Sequence, residues 1–218
     1  MNLTRLGHSC VRLEKDGARL VIDPGSFSAP GAIDGADAVL VTHGHADHVV
    51  PGALRDALVA RATLEVWAPS GVVAALTDGA PGLAGRVHAV TSGDTFEAAG
   101  FAVEVFGTLH AVVHRDLPRA ANVAYLLDDA VLHPGDALTV PPRPVDVLLV
   151  PVAAPWLRLG DAVDYIRTVA PRLAVPIHDA ICSPAGQELV DRLLGPQGIG
   201  IGGARYCRPA DGEAMSLS

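Results

Sequence analysis

The sequence predicts a mixed α/β (α+β) fold in which sheets pack on each other with helices outside. Two observations support this prediction. Short runs of strand length dominate the first two-thirds of the 218 residues, and strands alternate with amphipathic helices in the rest. No linker, short repeat or shift in composition divides the chain, so residues 1–218 are predicted to form a single domain.

The first predicted element is a β-hairpin. Residues 10–14 and 19–23 form short runs on either side of Lys15-Asp16-Gly17, which is a turn signal. Asp23-Pro24-Gly25 then ends the second strand. The continuous apolar run 38–42 predicts a buried strand.

The remaining elements follow from the same two patterns. Apolar residues at helical spacing predict helices over 51–60, 71–76, 162–170 and 185–194. Apolar runs predict strands over 65–68, 86–90, 101–106, 123–127, 130–132, 145–152 and 173–177. A last short strand is predicted after the glycine-rich segment 198–203.

Composition argues against several classes of partner. The formal net charge of −8 and the 4% aromatic content disfavour a nucleic-acid partner or an anionic membrane surface. The longest apolar stretch, 147–157, is shorter than the ~20 residues that span a bilayer, and no signal-peptide pattern opens the sequence. Three cysteines without C-x-x-C spacing favour a reducing compartment. We therefore expect a cytoplasmic protein with a small-molecule substrate, and the pattern does not indicate an oligomeric state.

One segment concentrates metal-binding side chains. His43-x-His45-x-Asp47-His48 directly follows the predicted strand 38–42. Imidazole nitrogen and carboxylate oxygen suit zinc, iron or manganese. Residues two apart on an extended chain project to the same side, so we expect His43 and His45 to bind one ion. Asp47 and His48 are adjacent and point differently, so we expect them to serve a second ion nearby.

This segment resembles the H-x-H-x-D-H hallmark of the metallo-β-lactamase superfamily. Further along the chain, His110, Asp136 and His178 follow in the order of the family pattern. Three secondary motifs resemble the small, single-domain, L-ascorbate-6-phosphate-lactonase-like branch: Leu6-Gly7-His8-Ser9, Ile22-Asp23-Pro24-Gly25 and Pro176-Ile177-His178.

The resemblance implies a four-layer αβ/βα sandwich with two divalent ions at the open edge of the sheets. Zinc is the first expectation, with manganese and iron as alternatives. The first ion would be bound by His43, His45 and His110, the second by Asp47, His48 and His178, with Asp136 bridging the two. The implied reaction uses a metal-bridging hydroxide to cleave a small ester, lactone, thioester or phosphodiester.

Other residues have weaker claims to a role. Asp47 is a candidate proton acceptor besides being a ligand. For His8 we consider three roles: the side chain faces the substrate, it contacts a metal ligand, or it caps a turn. His114 donates a proton to the leaving group, contacts substrate or is an ordinary loop residue. Asp23 orients a metal ligand or only ends a strand. Trp156 lines the pocket or belongs to the core.

Two other functions on the same fold remain open. One is a non-catalytic metal-binding scaffold, which the complete set of ligands disfavours. The other is a redox di-iron protein, but such enzymes have a carboxylate in place of His45 and add a flavin domain. The substrate stays open, because Arg115, Arg119 and Arg158 form no cluster that would indicate a phosphate pocket.

Overall fold

The structure, a computed structural model, describes residues 1–217, and its strands form two sheets of seven strands each. The first sheet contains β1 (Asn2–Arg5), β2 (Val11–Lys15), β3 (Ala18–Ile22), β4 (Ala38–Leu40), β5 (Glu65–Ala68), β6 (Val87–Ala89) and β14 (Ala214–Ser216). Their order is β14-β1-β2-β3-β4-β5-β6. Strands β1, β3, β4, β5 and β6 run parallel to one another, while β2 and β14 oppose them.

The second sheet contains β7 (Thr95–Ala98), β8 (Phe101–Phe106), β9 (Ala124–Leu127), β10 (Val131–His133), β11 (Val147–Pro151), β12 (Leu173–Ile177) and β13 (Arg205–Tyr206). Their order is β13-β12-β11-β10-β9-β8-β7. Strand β8 runs in the same direction as β10, β11, β12 and β13, because β9 is antiparallel to both of its neighbours.

Four helices cover the outer faces of the sheets. They are α1 (Pro51–Ala60), α2 (Ser70–Thr77), α3 (Leu159–Val169) and α4 (Pro184–Leu194), and a 3₁₀ helix spans Pro81–Arg86. Helices α1 and α2 bury apolar side chains against the first sheet, and α3 and α4 do so against the second. The order of layers is therefore helix, sheet, sheet, helix, which confirms the predicted αβ/βα sandwich.

Period-two alternation explains how each sheet serves two cores. In β3, Leu20 and Ile22 point into the core between the sheets, while Val21 points toward α1 and α2. In β9, Tyr125 points into the core between the sheets and Leu126 toward α3 and α4. Where both faces of a strand are covered, as in β4, β9, β11 and β12, every residue is buried and apolar. Strand β2 instead carries the polar residues Arg12 and Glu14 at alternate positions.

Most predicted elements are confirmed within a few residues. The β2–β3 hairpin turns at Asp16 and Gly17, whose positive φ angles of 53° and 85° fit a two-residue turn. Strands β1, β7 and β14 and the 3₁₀ helix were not predicted from the sequence. Within residues 1–217, no helix has the length and apolar character needed to cross a membrane.

Candidate metal centre

All seven predicted metal ligands lie in loops at the carboxyl ends of parallel strands. His43, His45, Asp47 and His48 follow β4 in the first sheet. His110 follows β8, Asp136 follows β10, and His178 follows β12 in the second sheet. A β-bridge between His43 and Asn122 joins the two sheets at this edge. The sandwich thus brings together side chains that are up to 135 positions apart in sequence.

The loop that carries the first four ligands is pressed against the turn after β3. Ser26 N donates to Ala46 O at 2.8 Å, which ties the turn to the loop. A Cβ atom on Gly25 would lie 1.9 Å from the Asp47 carbonyl oxygen. Only glycine permits this approach, which explains the Asp23-Pro24-Gly25 motif in structural terms.

The side chains form two adjacent groups that could each hold a metal ion. One group contains His43, His45, His110 and Asp136, and the other contains His8, Asp47, His48 and His178. Within each group the potential ligand atoms all lie within 4.8 Å of one another. These groups match the two ligand sets expected from the sequence, except that His8 joins the second and Asp136 falls in the first.

Asp136 lies between the two groups. Its Oδ2 atom is 3.2 Å from His110 Nε2 and 3.0 Å from His178 Nε2. Its Oδ1 atom is 3.1 Å from His48 Nε2. A carboxylate in contact with histidines of both groups is suited to bridge two ions.

Hydrogen bonds at Nδ1 fix which ring nitrogen of the histidines faces the centre. His48 Nδ1 donates to Asp23 Oδ2 at 2.7 Å, and His110 Nδ1 donates to the Ala111 carbonyl at 2.6 Å. His178 Nδ1 donates to the Ala153 carbonyl at 2.5 Å. In the neutral rings, Nε2 therefore carries a lone pair directed at Asp136.

Three buried polar atoms at the centre lack a hydrogen-bond partner, and their chemistry fits a bound metal ion. His48 Nε2, His178 Nε2 and Asp136 Oδ1 are buried and form no hydrogen bond. A neutral imidazole nitrogen and a carboxylate oxygen are both acceptors, so their close approach is unfavourable unless a cation lies between them. The donor set, which consists only of nitrogen and carboxylate oxygen, suits zinc and similar ions.

Without a metal, the carboxylates hold protons on some of these rings. Burial opposes the charged form of His48, but Asp23 and Asp136 outweigh it and raise the His48 pKa to about 10. Burial and the neighbouring His48 charge lower the pKa of His43 to about 2. Burial acts to raise the pKa of Asp136, but its histidine partners dominate and lower it well below the ordinary value. Asp136 is thus an anion that offers both oxygens to cations.

Asp23 supports the centre from behind and is fully buried. Its Oδ1 accepts the Thr42 backbone N–H at 2.7 Å, and its Oδ2 accepts the Thr42 hydroxyl at 2.7 Å as well as His48 Nδ1. Thr42 Oγ1 in turn accepts from His43 Nδ1 at 3.0 Å. One carboxylate therefore orients two metal-ligand candidates, which supports the orienting role of Asp23 over that of a simple strand end.

Asn122, which the sequence did not indicate as a site residue, holds the loop of Asp136. Asn122 Oδ1 accepts the Asp136 backbone N–H at 2.9 Å, and Asn122 Nδ2 donates to the Pro134 carbonyl at 3.0 Å. Gly135 has a φ of 60°, and a Cβ there would lie 2.3 Å from Asn122 Oδ1. A single asparagine in a strand-rich region carries no motif, so sequence alone gave no signal for this role.

His8 and Trp156 both contact the centre. His8 Nδ1 accepts the Ala180 backbone N–H at 3.2 Å, so in the neutral ring Nε2 carries the proton and donates to Asp47 Oδ2 at 3.2 Å. This arrangement makes His8 a support for Asp47. Trp156 Nε1 donates to Asp136 Oδ2 at 3.0 Å.

His114 and His133 do not join the cluster. His114 is exposed on the loop after β8, where Nδ1 accepts the Asp116 backbone N–H. Its role as a proton donor stays a prediction. His133 is buried, and its Nε2 donates to the Ser9 carbonyl at 2.9 Å while its Nδ1 accepts from Gly135 N. His133 thus positions backbone near the site.

Three residues of the site adopt left-handed backbone conformations. The φ angles are 52° for His8, 52° for Asp23 and 59° for His178. Such angles are unfavourable for residues with a Cβ and are found where the surrounding structure enforces them. Here the His178 backbone N–H donates to the His8 carbonyl at 3.0 Å, so two of these residues hold each other.

Most of the chain matches a known protein family. The family model described as "Beta-lactamase superfamily domain" matches residues 2–178, a range that contains every predicted ligand.

Sequence relatives extend over most of the chain. Protein Rv0786c of Mycobacterium tuberculosis is 43% identical over 190 residues, which cover 84% of this chain and 86% of that protein. The UPF0173 metal-dependent hydrolase Atu1317 of Agrobacterium fabrum is 33% identical over 158 residues, 62% of this chain and 63% of that protein. Among solved structures, Igni18, a novel metallo hydrolase from Ignicoccus hospitalis, has a TM-score of 0.71 at 19% identity and covers 100% of this chain and 99% of its own. At 19% identity, the similarity to Igni18 shows a shared fold.

Proposed function

Because the chain belongs to the β-lactamase superfamily, as one of its metal-dependent hydrolases, we propose that it binds two divalent ions and cleaves a small ester, lactone, thioester or phosphodiester. Zinc is the proposed metal, with manganese and iron as alternatives. One observation carries the proposal: two ligand groups of suitable chemistry lie side by side, with Asp136 in contact with histidines of both.

The proposed assignment follows the contacts. His43, His45 and His110 hold the first ion, Asp47, His48 and His178 hold the second, and Asp136 bridges them. Divalent ions in such sites lower the pKa of water from 15.7 to roughly 7 and polarise the oxygen of the scissile group. The protein's own part is to direct the Nε2 atoms of His48, His110 and His178 at the ions, through the hydrogen bonds at their Nδ1 atoms.

Asp47 is the ligand with the most accessible carboxylate. It is partly exposed, and the hydrogen bond from His8 is the main cause that lowers its pKa well below the ordinary value. A carboxylate with a low pKa is a weak proton acceptor, so this contact favours the ligand role of Asp47 over general-base catalysis. We assign His8 to the orientation of Asp47.

The first experiment measures metal per chain on protein purified without chelator or a metal-binding tag. We expect close to two first-row ions in the native protein and in Asp164→Ala, which removes an exposed carboxylate on α3. Asp136→Ala is expected to lose both. Fewer than one ion in the native protein after reconstitution with zinc or manganese would contradict the proposal and favour a non-catalytic structural domain.

A further inference from the structure

The metal centre is open to solvent on one side. His43, His48, His110, Asp136 and His178 are all buried. Of the seven ligand candidates, only His45 is exposed and only Asp47 is partly exposed. A substrate must therefore approach the centre past these two side chains.

A cavity of about 270 Å³ lies on this accessible side. Two of its lining residues are His45 and His110. Most of the others are apolar and belong to the loop between β8 and β9: Ala111, Val113, Leu117, Pro118 and Ala120. The volume is near the lower end of the ~300–1,000 Å³ range of small-ligand pockets, and apolar walls are typical of such pockets.

The opposite rim of the centre is apolar as well. Phe27 is half exposed, and its ring packs edge-on against His8 at 5.3 Å between centroids. Ile181 is exposed three residues after His178. Apolar side chains thus lie on the His45–His110 side and on the His8–His178 side of the centre.

Few cationic side chains are directed toward this cavity. Arg119 is the one guanidinium in its lining, and its Nε donates to the His110 carbonyl at 2.7 Å. Arg158 pairs with Asp161 at 2.8 Å, and Arg5 pairs with Asp179 at 2.7 Å. Recognition of a phosphate commonly uses several convergent N–H donors, and these walls do not supply them.

We infer that the cavity beside His45 and His110 binds a short apolar acyl chain, so that the substrate is an uncharged carboxylic ester, thioester or lactone. This inference rests on the proposed function and narrows it to carbonyl substrates. In the reaction water adds across the acyl–oxygen or acyl–sulfur bond, giving a carboxylic acid and an alcohol or thiol. Apolar walls favour the chain because each buried methylene contributes about 0.8 kcal/mol, roughly a fourfold change in binding.

The test compares p-nitrophenyl acetate, p-nitrophenyl butyrate and bis(p-nitrophenyl) phosphate with the metal-loaded protein. We expect kcat/KM for the butyrate to exceed that for the acetate by about fifteenfold, because two more methylenes enter the cavity. The phosphodiester is expected to be the poorest of the three. Leu117→Ala should reduce the butyrate preference about threefold or more, and Val113→Ala should do the same.

Leu189→Ala is the matched control. Leu189 lies on α4, is 49% exposed against 55% for Leu117, and does not line the cavity. This variant should keep the preference of the native protein. Circular dichroism and metal content of each variant show that it is folded and loaded.

Two substrate preferences would overturn the inference while leaving the proposed function intact. One is preferential cleavage of the phosphodiester. The other is a higher kcat/KM for mono-p-nitrophenyl succinate than for the butyrate ester, lost in Arg119→Gln, which would show that the cavity recognises an anion. Equal preference in the native protein and Leu117→Ala would also reject the apolar cavity. No hydrolysis of any of these compounds by protein with two bound ions would instead count against the proposed function.

Discussion

Replacing Asp23 with asparagine should weaken metal binding without changing the shape of the site. Asp23 accepts three hydrogen bonds, two at Oδ2 and one at Oδ1. Asparagine has the same size but replaces one oxygen with an NH₂ group. If that group occupies the Oδ2 position, it meets His48 Nδ1–H and forces the ring to place its proton on Nε2, where it can no longer bind a cation.

The other orientation is costly too. If the NH₂ group occupies the Oδ1 position, it faces the Thr42 backbone N–H, and two donors are left buried without an acceptor. An unsatisfied buried donor costs about 1–3 kcal/mol. Loss of a residue that orients a metal ligand typically costs about 10–100-fold in metal affinity. The first orientation leaves the Thr42 backbone N–H paired, so we expect Asp23→Asn to adopt it and to lose metal affinity.

The assay is a competition titration with a chromophoric chelator, combined with urea unfolding of the metal-free protein. Asp164→Asn on α3 is the control, because its carboxylate is exposed and remote from the site. Zinc affinity of Asp23→Asn should fall at the ion that His48 binds, by about 10–100-fold. A folded Asp23→Asn protein whose affinities for both ions remain within about twofold of the control would refute the reasoning.

Three further predictions use the same assays. Gly135→Ala should destabilise the protein by about 3 kcal/mol or more, since its Cβ would lie 2.3 Å from a side-chain oxygen. Gly79→Ala has a similar positive φ but open space, and should cost only about 1–2 kcal/mol in urea unfolding; equal losses would contradict the steric argument. Trp156→Phe removes the indole donor to Asp136 and should lower metal affinity about tenfold, because hydrogen bonds to charged groups contribute about 1.5–3 kcal/mol; an unchanged affinity would show that the indole does not hold this carboxylate. Metal affinity should rise with pH from 7 toward 10, by up to about tenfold per unit, because His48 has a pKa raised to about 10 and must lose its proton before it binds a cation; a flat profile would reject this linkage.

The same raised pKa has a consequence for the metal-free protein. The folded-state pKa of His48 exceeds its ordinary value of 6.5, so its contribution to stability is complete below about pH 6.5. That contribution is lost as the pH rises toward 10. The metal-loaded protein should not show this loss, because its His48 is neutral throughout.

Sequence patterns indicate the candidate site most directly where metal-binding residue types are concentrated. The hexad His43–His48 contains four ligand candidates in six positions, and the predicted strand before it is β4. His110, Asp136 and His178 were identified through the resemblance to the family pattern, whose order they follow. The structure brings all of them to one edge, because the carboxyl ends of parallel strands meet there.

Supporting residues were harder to predict, because their roles depend on contacts between distant segments. Asn122, which lies just before β9, accepts the backbone N–H of Asp136. Thr42 forms hydrogen bonds with both Asp23 and His43 and so connects them. Neither residue type is unusual at its position. The sequence did not distinguish whether Trp156 belongs to the core or lines the pocket. Its hydrogen bond to Asp136 places its side chain at the candidate site.

The missed strands have a similar explanation. Strand β14 is three residues long and pairs with β1 across almost the whole chain, with Asn2 opposite Ser216. Strand β7 pairs with β8 through a short turn, but its sequence Thr95–Ala98 includes a charged residue and little apolar character. Short edge strands depend on pairing with a neighbour, and such pairing leaves little trace in local sequence.

The left-handed backbone at His8, Asp23 and His178 has a consequence for protein engineering. A non-glycine residue in this conformation costs roughly 1–2 kcal/mol, so the three together amount to about 3–6 kcal/mol, a large share of a typical folding stability of ~5–15 kcal/mol. Glycine would relieve each strain but offers no side chain to bind or orient anything. A library selected for heat resistance alone would therefore drift toward glycine at these positions and lose the site, whereas one selected with metal present would keep them.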